Sequence, residues 1–155
     1  HDLTRSFEVT QHAQQTVFAA LADQDVDLRG IVLKPSMVIS GADAADRAGI
    51  KEVAQETLRC LLSTVPAAVP GIAFLSGGQS DEEATQHLNA MNEIASSLPW
   101  AVTFSYGRAL QAAAMKQWAG QTDNIESARQ VAFHRARMNG AAALGQYSSE
   151  MEKAA

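Results

Sequence analysis

An α/β fold with a parallel sheet is predicted by three observations. Short apolar runs at residues 30–34, 69–75 and 100–105 recur roughly every 30 to 40 residues, bounded by glycine or proline. Between them, apolar residues fall three or four apart, the spacing of a helix with one buried face. Strand, helix and strand in that rhythm imply parallel pairing through right-handed crossovers. The third observation is chemical: reactive and anion-binding residues gather at the C-terminal ends of the runs, where α/β folds build their sites.

Residues 4–22 place Phe7, Ala13, Val17, Phe18 and Leu21 on one stripe, a helix that Asp23, Gln24 and Asp25 end. The first strand covers residues 30–34, and Pro35, which cannot donate to a ladder, finishes it. Alternation turns Lys34 to the side of Val32, with Ile31 and Leu33 opposite. Residues 39–43 read as a loop. A second helix at residues 50–63 has Ile50, Val53, Ala54, Thr57, Leu58, Leu61 and Leu62 on one stripe, and Pro66 closes it. The second strand ends in Ser76, Gly77 and Gly78. Ser80 to Glu83 has the form of a capping box, with Ser80 as N-cap and Glu83 reaching back. The helix it opens has Ala84, Leu88, Met91 and Ala95 as its buried stripe. Pro99 marks its end, and residues 100–105 alternate as a third strand. Tyr106, Gly107 and Arg108 lead into an alanine-rich helix at residues 109–118, which Gly120 stops. The last helix runs over residues 125–143, after caps at Thr122, Asp123 and Asn124. Residues 145–155 lack a period and are expected to form a surface tail.

The 155 residues, 46% hydrophobic and 19% charged, suit one globular domain. With 12 basic and 17 acidic side chains the formal charge is −5 and no basic cluster stands out. That argues against nucleic acid and anionic membrane as partners, and leaves a small phosphorylated substrate open. Cys60, the single cysteine, is expected as a buried, inert thiol suited to a reducing compartment. His1, His12, His87 and His134 stand far apart, so no metal is expected. His87 and His134 read as helix-surface residues, and Trp100, Trp118 and Phe133 as packing residues. No apolar run is long enough to cross a bilayer. The chain opens on His1 and enters a helical pattern almost at once, so upstream sequence is expected.

Lys34 has two readings. It is either the solvated rim of a strand end or an imine-forming lysine, whose amine burial or a nearby cation brings to a pKa of roughly 7 to 8. Its company bears on the choice. Ser76, Gly77 and Gly78 end the second strand, and Ser105, Gly107 and Arg108 follow the third. Glycines admit an oxyanion close to backbone N–H groups, the helix after Ser80 would add its dipole, and Arg108 can pair with phosphate. Singly, the glycines are a tight turn, Arg108 a surface residue paired with a carboxylate, and the serines ordinary strand-end residues. Together they form an anion cradle beside an amine.

The strings LKPSMV, VPAAVPGIAFLSGGQSDEEAT, LNAMN and PWAVTFSYGRALQAAAMKQW closely resemble class I, Schiff-base fructose-1,6-bisphosphate aldolase. The likeness runs from His1 to about Tyr147. It implies the C-terminal three βα units of a TIM (β/α)8 barrel over residues 1–147, with a tail at 148–155. It also implies a glycolytic, cytoplasmic carbon–carbon lyase, usually a homotetramer, needing no cofactor. Such an enzyme reversibly cleaves fructose 1,6-bisphosphate to dihydroxyacetone phosphate and glyceraldehyde 3-phosphate. Under the resemblance Lys34 forms the imine, and Ser76, Gly77, Gly78, Ser105, Gly107 and Arg108 hold a substrate phosphate. The family's acid/base carboxylates and second active-site lysine would precede His1. Ser36 stands where many members have asparagine, and the ending lacks the tyrosine of animal members. A half-barrel with a phosphate-binding or assembly role is the non-catalytic alternative.

Overall fold

The computed structural model describes residues 1–94 and 97–154. Three parallel strands, β1 (Val32–Leu33), β2 (Gly71–Phe74) and β3 (Ala101–Phe104), lie side by side in that order. Val32 pairs with Gly71 and Leu33 with Ile72, while β2 and β3 pair from Gly71 and Ala101 to Phe74 and Phe104. Parallel neighbours need a crossover. Helix α2 (Ile50–Thr64) carries the chain from β1 to β2, and α3 (Asp81–Ile94) from β2 to β3. Helix α1 (Leu3–Asp23) precedes them; α4 (Arg108–Trp118) and α5 (Ile125–Ala142) follow. The predicted elements are present. Strand β1 is shorter than expected because residues Leu28–Gly30 wind into a 3-10 turn.

Local chemistry sets the helix ends. The Asp2 carboxylate accepts the Arg5 N–H at 2.8 Å and opens α1. Ser80 Oγ accepts the Glu83 N–H at 3.1 Å, but the return half of the capping box does not form. Glu83 instead takes Arg47 at 2.8 Å, a cross-element ion pair that the local motif could not reveal. Ala119 and Gly120, with φ of 49° and 73°, end α4 in the left-handed region.

The two faces of the sheet differ. Ile72, Phe74 and Val102 are buried under α2, α3 and α5, joined there by Leu58, Leu88, Met91 and Met138. On the other face Val32 is 65% exposed, Ala101 and Ser105 are exposed, and Ala73 and Thr103 are half-buried. Alternation puts Lys34 on this open face, as expected.

Five expectations are corrected, the first being Leu62, which is 58% exposed at the margin of the α2 stripe. His87 is fully buried, because it lies on the Ala84, Leu88 and Met91 stripe of α3. His134 is half-buried against Glu152 at 2.9 Å. Phe133 is 66% exposed and Trp118 also faces outward, so only Trp100 of the three aromatics packs inside. Residues 145–154 are docked rather than trailing: Tyr147 is buried and Ser149–Ala154 form a 3-10 turn. Cys60 is buried as expected, and burial pushes its thiol up to about 11. Ala95 of the predicted stripe lies outside the described residues.

Candidate active site

The parallel register brings the three strand ends to one edge of the sheet. The Leu75 N–H donates to the Pro35 carbonyl at 3.1 Å, and the Ser105 N–H to the Phe74 carbonyl at 2.8 Å. The junctions after β1, β2 and β3 therefore follow one another at the strand spacing of about 4.8 Å. Lys34 stands just past β1, exposed on the open face with Ser105. Of its two readings, the solvated rim is the one this chain shows by itself, since Lys34 is exposed among the described residues.

After β2 the chain turns sharply. The Gln79 N–H closes onto the Ser76 carbonyl at 3.0 Å, with Gly77 at φ 59° and Gly78 at φ 85°. Positive φ at both central positions is the type I′ pattern, which admits side chains poorly. Space is not the constraint at Gly78, where an added Cβ would meet nothing within 4 Å. Ser76 itself is buried; Gly77 and Gly78 are exposed.

Gly107 and Arg108, both exposed, begin α4. No side chain caps this helix and no acidic residue sits in its first turn, so its orphan N–H groups and positive dipole end face outward. Arg108 makes no ion pair among the described residues, contrary to the bland expectation of a carboxylate partner. The start of α3 is the opposite case: Ser80 already caps it, and Asp81, Glu82 and Glu83 satisfy its dipole. The helix end suited to an anion is thus that of α4, a correction to the sequence expectation.

Two residues near the glycine turn escaped sequence reasoning. Gln79, nearly buried, donates from Nε2 to the Ser76 carbonyl at 2.8 Å. Its Oε1 lies 2.6 Å from His87 Nδ1. His87 had a detectable signal, because it stands three residues after Ala84 and four before Met91 on the buried stripe. Beside the same turn, a cavity of about 470 Å³ is lined by Arg5, Thr10, Ser36, Met37 and Gly77.

A family model described as fructose-bisphosphate aldolase class-I matches residues 1–155. The chain belongs to the class-I fructose-bisphosphate aldolase family. A probable class 1 aldolase of Xanthomonas axonopodis pv. citri is 52% identical over 148 residues, 95% of this chain and 44% of that protein. Fructose-bisphosphate aldolase 2 of Caenorhabditis elegans is 48% identical over 150 residues, 97% of this chain and 41% of that one. Among solved structures, Plasmodium falciparum aldolase, in complex with TRAP and a small-molecule inhibitor, superposes with a TM-score of 0.93 at 44% identity. It is matched over 96% of this chain and 43% of its own. The chain therefore spans less than half the length of these aldolases.

Proposed function

We propose that this chain forms the C-terminal three βα units of a (β/α)8 barrel in a class I fructose-bisphosphate aldolase. Such a protein reversibly cleaves fructose 1,6-bisphosphate to dihydroxyacetone phosphate and glyceraldehyde 3-phosphate through an imine on Lys34. The observation that carries the reading is the meeting of three strand-end junctions at one sheet edge, within a chain of this family. Lys34 attacks the substrate ketone, and loss of water gives the imine. Once protonated, the imine takes up the electron pair of the bond between the α and β carbons as a base removes the β-hydroxyl proton and the aldehyde leaves. The resulting enamine is protonated at carbon and hydrolysed, freeing Lys34. Gly77, Gly78, Ser76 and Ser105 supply N–H and hydroxyl donors for a phosphate. Arg108 and the uncapped start of α4 supply positive charge. The open face fits the interior of a barrel, where further strands would take Lys34 out of water. A cytoplasmic homotetramer with no cofactor completes the reading.

The test is borohydride reduction of the full-length protein with dihydroxyacetone phosphate, followed by peptide mapping. A reduced adduct on Lys34, with cleavage falling to background in Lys34→Met, is the expected result. Adduct on another lysine, or none, sinks the imine assignment.

A further inference from the structure

We propose that Gln79, oriented by a neutral His87, is a positioning residue that holds the turn at Ser76, Gly77 and Gly78 in its phosphate-gripping shape. The inference rests on the aldolase reading above and assigns a role to two residues that would not touch the substrate. The Ser76 carbonyl accepts twice from Gln79, from the backbone N–H at 3.0 Å and from side-chain Nε2 at 2.8 Å. A carbonyl has two lone pairs, so both are engaged and the group is pinned. Nε2 also reaches Met37 Sδ at 3.6 Å, linking the turn to the segment that follows Lys34.

The amide works only one way round. Were it flipped, Oε1 would face the Ser76 carbonyl, acceptor against acceptor. His87 selects the working orientation from the other end. Its Nδ1, 2.6 Å from Gln79 Oε1, must carry the proton, because an amide oxygen can only accept. Nε2 is then the unprotonated nitrogen, and it meets neither a donor nor an acceptor among the described residues. Protonation would put a second N–H in that spot with nothing to receive it, and burial holds His87 down to about 4. A neutral ring with a fixed tautomer thus aims Gln79, and Gln79 fixes the carbonyl whose peptide leads into Gly77. With φ of 59° and 85° the glycines have wide freedom, so this outside restraint keeps their N–H groups converging.

The experiment uses the full-length enzyme and compares wild type with Gln79→Met, His87→Leu and the double variant. Gln79→Met keeps volume and the backbone N–H while removing all three side-chain bonds. The readout is imine trapping with dihydroxyacetone phosphate and with unphosphorylated dihydroxyacetone. Loss of one hydrogen bond to the turn should raise the half-saturating concentration of the phosphorylated ketone about threefold to tenfold. Affinity for the unphosphorylated ketone should hardly change, while the melting temperature should fall in Gln79→Met, where the buried His87 Nδ1–H loses its acceptor, and recover in the double variant. The double variant should match Gln79→Met alone, since His87 acts through the amide. Equal weakening for both ketones, or additive single effects, would overturn the proposal. Should wild type form no adduct at Lys34, the aldolase reading fails while the turn is still read by hydrogen–deuterium exchange of the peptide around Gly77 with inorganic phosphate. Protection in wild type that Gln79→Met loses supports the restraint, and its persistence in the variant, or its absence in wild type, refutes it.

Discussion

Arg108 and Arg135 are the same residue type in opposite situations. Arg135 is buried, and its guanidinium donates to Glu152 at 2.6 Å and to Thr85 Oγ1 at 3.0 Å, so its charge is already paired although its Nε meets no acceptor among the described residues. Arg108 is exposed at the first position of α4, with its donors still available to a ligand. Arg108→Ala should therefore leave the fold nearly unchanged. In the full-length enzyme it should raise KM for a bisphosphate roughly tenfold to a hundredfold, as expected for one charge-assisted contact of about 1.5–3 kcal/mol. Steady-state kinetics with fructose 1,6-bisphosphate checks this, and unchanged KM would count against a phosphate role. The positions of Lys34, Gly77, Gly78 and Arg108 at strand ends were legible because glycine, proline and alternation are local signals. The state of each side chain was not. Whether Arg108 has a partner, whether Lys34 is covered, and which helix start is already capped depend on residues distant in sequence. Glu83, captured by Arg47, illustrates the point.

At the scale of elements, the docked C-terminal segment is the largest departure from expectation. Residues 145–155 show no period in the sequence because individual polar contacts, rather than a stripe, anchor residues 145–154. The Tyr147 N–H donates to Asn89 Oδ1 at 2.9 Å, and the Tyr147 hydroxyl to Glu152 at 2.9 Å. Burial, with the Glu152 contact, pushes that hydroxyl up to about 12, so it stays a donor. Burial alone would raise the Glu152 carboxyl. Hydrogen bonds from Arg135, His134 and Tyr147 outweigh it and hold the carboxyl below its ordinary value. The docking contribution is therefore fully present above the unfolded pKa of about 4.3, and it is lost as pH falls through the lower folded value. Glu152→Ala leaves the Arg135 charge buried without its carboxylate, a loss of about 3–5 kcal/mol if the segment stays shut. Release of the segment limits that cost by letting water reach Arg135. Limited proteolysis should thus find new cleavage near Tyr147 in the variant at neutral pH, and in the parent only under strong acid. Equal protection of the two proteins would mean that the apolar contacts of Tyr147 and Met151 suffice.

At the scale of the whole molecule, the βα rhythm was legible because periods of 2 and 3.6 are written in the sequence. Which sheet face the chain itself covers was not, since alternation divides the faces without saying what lies over each. Helices take the face of Ile72, Phe74 and Val102 and leave that of Val32 and Lys34 to water. The same exposure affects the outer side of α1, where Val9 and Val17 are 51% and 48% exposed. Such a surface costs stability and invites association, because apolar area left in water forgoes about 25 cal/mol for every Å². It also leaves the Lys34 side chain in water rather than enclosed beside a substrate. Residues 1–155 expressed alone should consequently melt with low cooperativity, bind a hydrophobic dye and self-associate. Their turnover of fructose 1,6-bisphosphate should lie at least about 10² to 10⁴-fold below that of a full-length aldolase, the range lost with general acid–base catalysis alone. Calorimetry, sedimentation and a coupled assay on both proteins decide the matter. Sharp melting of a monomer together with full turnover would mean that three βα units are a sufficient enzyme, and that solvent on the open face does not prevent the lysine from reacting.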